Sequence, residues 1–183
     1  MQWVWHYTPL AHAESILQSG RLLPSNARAE REIPLLWFSC EQRWEPTAGK
    51  LVVAPSGRLK MASWEEQLRV YGVFRLGLSE ADSRLLHWSQ ACKAARTPRK
   101  ERLGMEQQGR LLGANPARWR ACLQSLQISE LSVQCLDAAE QWTPCSLEDV
   151  LASWNADQPR QHLLQAMLVQ VASQLRKAPG AAI

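Results

Sequence analysis

A short aromatic strand, one helix and a helix stop follow one another at the start of the chain. This order constrains the fold more than any other feature. Trp3-Val4-Trp5-His6-Tyr7 is β-branched and aromatic, the composition of a strand over residues 2–7. Pro9 can open a helix, because its missing N–H is not needed in a first turn. Leu10, Ala13, Ile16 and Leu17 recur at helical spacing, and Gly20 is a helix stop. The unit sets a polar strand end, His6 to Thr8, beside a helix start, where small-ligand sites tend to form.

The rest of the chain alternates short strands with helices in the same way. Leu22-Leu23 is a brief extended piece, followed by a polar loop over 25–32. Leu35 to Ser39 is a second strand, and Pro46 keeps the next turn short. Leu51-Val52-Val53 reads as a third strand or as part of a longer loop. Ser63 and Glu66 form a capping box at a helix start. Tyr71 to Leu78 alternates and predicts a strand, and Ala81 to Ala95 a helix. The glycines at 104 and 109 predict a flexible stretch, then Asn115-Pro116 a helix running to Leu126. Leu131 to Leu136 is a strand, Trp142 sits on a further short one, and Ser146 opens a helix. Leu164, Met167, Leu168, Val171 and Leu175 share one face of a final amphipathic helix over about 159–177. The expectation is one α+β domain over residues 1–178, with a frayed tail at 179–183.

Composition excludes several classes. With 46% apolar and 21% charged residues the chain fits a globular protein. A net charge of +4 is below that of a dedicated nucleic-acid binder. The five cysteines form no CxxC pair and the histidines share no ligand spacing, so no metal site is expected. No apolar run is long enough to span a membrane, and the start lacks the pattern of a secretory signal. A cytoplasmic protein with reduced thiols is expected. GxGxxG, P-loop and GxSxG motifs are missing, which removes Rossmann, NTPase and α/β-hydrolase readings. Eight Lys/Arg between Lys93 and Arg120 form a basic region, either a phosphate-facing surface or a solvated face.

The His6-Tyr7-Thr8 strand, the Ser19-Gly20-Arg21-Leu22 turn and the Trp37-Phe38-Ser39 strand together resemble the ADP-ribosyltransferase-like fold family, of the His-x-Thr type. The resemblance implies split antiparallel sheets with flanking helices, and NAD as the cofactor. It also implies cleavage of the nicotinamide glycosidic bond and transfer of ADP-ribose to a protein or nucleic-acid acceptor. In that family the strand histidine donates to an NAD ribose hydroxyl, the next residue's backbone holds the carboxamide, and the hydroxyl residue supports the ribose. His6, Tyr7 and Thr8 stand in those places, with Tyr7 where glycine is common. Trp37 or Phe38 would stack on the nicotinamide, with Ser39 and Trp44 beside it. By strand alternation one of Trp37 and Phe38 must face the core.

Arg75, a charge inside an apolar strand, is a candidate for the pyrophosphate or for an edge position facing solvent. The family also requires a carboxylate to stabilise the developing oxocarbenium. Glu130, just before the 131–136 strand, is the first choice, with Glu140 and Glu45 as alternatives. Two other readings stay open. One is a non-catalytic nucleotide- or partner-binding module on the same fold; the other is a basic nucleic-acid-binding interaction protein. His6 and Trp37 should lie on neighbouring strands, and a His6 buried beneath the final helix would exclude an enzyme.

Overall fold

Seven of the eleven strands described join into one antiparallel sheet, and that sheet positions the site. The computed structural model describes residues 2–25 and 32–177, so most of the expected 25–32 loop and the expected 179–183 tail lie outside the described residues. In chain order the elements begin with β1 (Trp3–Thr8), α1 (Ala13–Ser19), β2 (Arg21–Leu22), β3 (Leu36–Ser39), β4 (Leu51–Val53), β5 (Leu59–Met61) and α2 (Trp64–Glu66). Next come β6 (Phe74–Ser79), β7 (Leu86–His87), α3 (Trp88–Ala94), α4 (Arg99–Leu111), β8 (Trp119–Cys122) and β9 (Leu126–Gln127). The chain closes with β10 (Ser132–Leu136), β11 (Trp142–Pro144), α5 (Leu147–Ala156) and α6 (Gln158–Lys177). Helices and antiparallel sheets together give an α+β arrangement.

The large sheet has the order β11-β10-β6-β1-β3-β8-β7; β2 pairs with β9 and β4 with β5. Strand alternation divides its two faces. Val4, Phe38, Phe74, Leu76 and Leu78 face a core closed by Leu10, Ala13, Ile16, Leu147 and Val150 from the segments around α1 and α5. Trp5 and Tyr7 face the opposite side, among Val73, Trp44, Trp64 and Trp142. Gly77 lies opposite Trp5, and a Cβ there would sit 2.4 Å from the indole. The missing side chain is what lets Trp5 lie across β6.

The structure departs from the expected elements where pairing overrides local signals. Residues 116–126 are not a helix. Asn115 caps as expected, but only one 3-10 turn forms before Trp119–Cys122 pairs with β3. Residues 81–95 hold a turn and β7 before the helix starts at Trp88. The stretch around Gly104 and Gly109 is continuous helix α4, and the Trp119 ring lies 2.5 Å from where a Gly109 Cβ would be. Ser63 and Glu66 do form the capping box, after which the helix widens into a π-turn over Gln67–Tyr71. Gly72, at φ +58°, ends that turn, so the strand begins at Phe74 and not at Tyr71.

Candidate functional site

β1 pairs with β6 along its whole length but with β3 only at Trp5↔Ser39. Beyond that pair the two strands part. The split expected between two sheets is thus a pinch inside one sheet, with His6 and Trp37 on neighbouring strands as expected. In the gap, His6 Nδ1 lies 2.8 Å from the Trp37 carbonyl oxygen. Its ring meets Phe38 edge-on, with centroids 5.9 Å apart. A side chain here replaces the ladder bond that the strands no longer make. The ring keeps partial contact with solvent, although protein crowds it enough that desolvation lowers its pKa from 6.5 to about 4. A carbonyl oxygen only accepts, so Nδ1 carries the hydrogen and neutral Nε2 presents a lone pair. His6 is therefore placed to accept from a hydroxyl, the reverse of the donating role implied by the resemblance.

Thr8 is buried, and its Oγ1 lies 3.1 Å from His12 Nδ1. Burial lowers the His12 pKa too, and Lys50 acts on both imidazoles in the same direction. α6 does not cover His6, since its Leu164 packs with Val52, Val70 and Tyr71.

On β3, alternation separates the two aromatics. Phe38 enters the core, while Trp37 is 37% exposed and rests against Trp88, with centroids 5.1 Å apart. Trp88 in turn meets Trp119 at 90°. The Tyr7 ring points away from the junction, towards Trp44 and Trp142, so its backbone is unobstructed by its own side chain. Its hydroxyl donates to the Glu41 carbonyl at 2.6 Å, and burial pushes its pKa up to about 12. Trp44 lies between Tyr7 and Trp64 and belongs to this aromatic wall.

The three carboxylates fare differently. Ser39 Oγ donates to Glu45 Oε2 at 2.7 Å, and Thr47 donates to Glu45 Oε1 through both its hydroxyl and its N–H. Glu45 is thus bound directly to the residue at the pinch. Glu130 is held by Arg84 at 2.9 Å and by the Gln127 N–H at 3.0 Å, at the start of a strand that β6 separates from β1. Glu140 accepts from Trp64 Nε1 at 3.1 Å.

Arg75 is not available to a dinucleotide. It is buried with its guanidinium 3.8 Å from the Trp5 ring centre and 4.3 Å from that of Trp142. Nε and Nη2 donate to Gln134 Oε1, and Nη1 donates to the Gln42 carbonyl. Two indole faces and two fixed oxygens satisfy it inside the protein. The edge-strand alternative fails as well, because β6 is flanked by β1 and β10.

The basic region is less open than its composition suggests. Arg102 and Arg110 pair with Glu106, Arg118 with Glu41 and Arg120 with Glu80, which engages four of its eight cations. Among the described residues no helix is long and apolar enough to cross a membrane. The sequence reading missed His12 and Lys50 as members of the site. Their only signals were a histidine four residues after Thr8 and a single cation ahead of the Leu51–Val53 strand.

Compared with known proteins, the chain matches no family model, no curated protein and no solved structure.

Proposed function

We propose that the recess between β1 and β3 binds NAD and that the protein is an ADP-ribosyltransferase-like enzyme. The observation that carries this reading is the neutral His6 ring, wedged between parting strands with Nδ1 committed to the Trp37 carbonyl and Nε2 left for a ligand hydroxyl. The Tyr7 backbone and the Thr8 hydroxyl stand beside it, and the exposed Trp37 ring offers a stacking face of roughly 1 kcal/mol.

The reaction breaks the bond between the nicotinamide nitrogen and ribose C1′. The bonding pair leaves with nicotinamide, C1′ becomes oxocarbenium-like, and an acceptor oxygen or nitrogen bonds to it and releases its proton to solvent. Of the three glutamates, Glu45 is the one bonded to Ser39 at the pinch, so the carboxylate role is assigned to it.

Calorimetric titration of NAD into wild type and His6→Ala tests the binding step. Binding that disappears in a folded mutant supports the reading, and a folded wild type that takes up no NAD sinks it. Nicotinamide release tests the chemistry: Glu45→Gln should abolish it while NAD still binds. Equal release from the variant would remove Glu45 from the reaction.

A further inference from the structure

Lys50 is a cation without a counter-ion among the described residues, at the mouth of this recess. Its backbone is fixed on both sides, with the N–H donating to Gln67 Oε1 at 3.0 Å and the carbonyl accepting from Ala62 at 2.8 Å. Gln67 is itself buried and holds the Gly72 carbonyl, so this anchor is part of the core. Gly49, just before it, packs closely on Ala62, where a Cβ would lie 3.1 Å from the carbonyl oxygen. The ammonium is thus presented from a rigid strand entry, half-buried and close enough to His6 and His12 to act on both.

The nearby carboxylates are engaged elsewhere. Glu41 pairs with Arg118, and Glu45 is bound by Ser39 and Thr47. Partly desolvating a cation without a partner costs free energy that an incoming anion recovers. The neighbouring His6 Nε2 accepts from a hydroxyl, so the ligand carries a hydroxyl and an anion side by side. A sugar phosphate has both.

Resting on the NAD reading above, we infer that Lys50 is the phosphate receptor of the recess, pairing with a phosphoryl group attached to the ribose whose hydroxyl meets His6. His12, hydrogen-bonded to Thr8, flanks that phosphoryl group. The ammonium offers three donors and a full charge, which suits a phosphate as a point contact. The recess therefore selects nucleotides over nucleosides.

The test is calorimetry on wild type, Lys50→Ala and Lys50→Arg with three probes: ADP-ribose, adenosine and inorganic pyrophosphate. Lys50→Ala should weaken ADP-ribose by about 10- to 100-fold and leave adenosine unchanged, with Lys50→Arg in between. Its melting temperature should hold or rise, since an uncompensated charge is removed. Unchanged ADP-ribose affinity, or an equal loss for adenosine, overturns the assignment even if NAD binds. Pyrophosphate binding that depends on Lys50 in a protein that ignores NAD upholds the receptor and overturns the dinucleotide reading. A wild type that binds none of the probes overturns both.

Discussion

The wedged histidine has a measurable thermodynamic signature. His6 is neutral in the folded protein down to about pH 4 but titrates at 6.5 once unfolded. Between those values the unfolded chain holds one more proton than the native one at this position, so stability rises with pH across the window and falls as acid is added. At about 1.4 kcal/mol per pH unit the full depression corresponds to roughly 3 kcal/mol by pH 4, of which about 2 has been lost at pH 5. Solvent reaching the partly open ring trims these figures. The perturbation is His6→Gln, whose amide can still donate to the Trp37 carbonyl but does not titrate. Urea unfolding of both proteins at pH 7 and pH 5 gives the assay. Carboxylates, and His12, contribute equally to each protein, so they cancel in the difference. Wild type should lose about 1–2 kcal/mol more than the variant on going from pH 7 to pH 5. Identical losses, or a His6 ring that titrates near 6.5 by NMR, would refute the desolvated, carbonyl-locked histidine and the acceptor role of Nε2 with it.

Other substitutions probe the frame around it. Gly77→Ala should cost about 1–3 kcal/mol in urea unfolding, because its Cβ meets the Trp5 ring at 2.4 Å. A cost near zero would show that Trp5 can move aside freely. Arg75→Ala should cost about 3 kcal/mol or more by the same assay, since it removes a charge held between two indoles and leaves the Gln134 and Gln42 oxygens without their donor. A mild loss of stability together with lost NAD binding would instead return Arg75 to the ligand. Glu130→Gln should change stability by less than about 1 kcal/mol, as its pair with Arg84 is partly solvated, and should leave nicotinamide release intact. Lost release from a folded Glu130→Gln would reinstate it as the carboxylate.

The legible features of the sequence were local, and the missed ones were tertiary. The period-2 pattern and aromatic content of Trp3–Thr8 and Leu36–Ser39 marked both strands of the junction, and alternation alone required Trp37 and Phe38 to face opposite ways. The Asn115-Pro116 signal was also real: it caps a 3-10 turn. The next residues, Trp119-Arg120-Ala121-Cys122, are apolar at spacings that fit a helix or a strand, and only the partner β3 decides between them. Gly109 looked like a breaker, yet it lies inside a helix because the Trp119 ring needs its space. Arg75 could not be assigned from its neighbours in sequence, since Gln134 and Trp142 reach it from strands distant along the chain. Lys50 and His12 enter the site only when the Gly49 turn and the start of the first helix close over the end of β1. No spacing rule anticipates that.

The tryptophans explain why the sheet parts where it does. Trp5 stacks on Trp3 and covers Arg75, which Trp142 covers in turn, and this tightens β1, β6 and β11 into one block. Trp37, Trp88 and Trp119 do the same for β3, α3 and β8. Each block buries large aromatic area against its own strands, and such close-packed contacts resist small adjustments. Between them β1 and β3 share one registered residue pair, Trp5↔Ser39, and the side-chain bridge from His6 to the Trp37 carbonyl. The recess is therefore bounded by rigid packing on either side, and the ring at its floor replaces the missing ladder. The same ring is the group that a ligand would touch, so occupancy of the recess and cohesion of the two halves meet at a single imidazole.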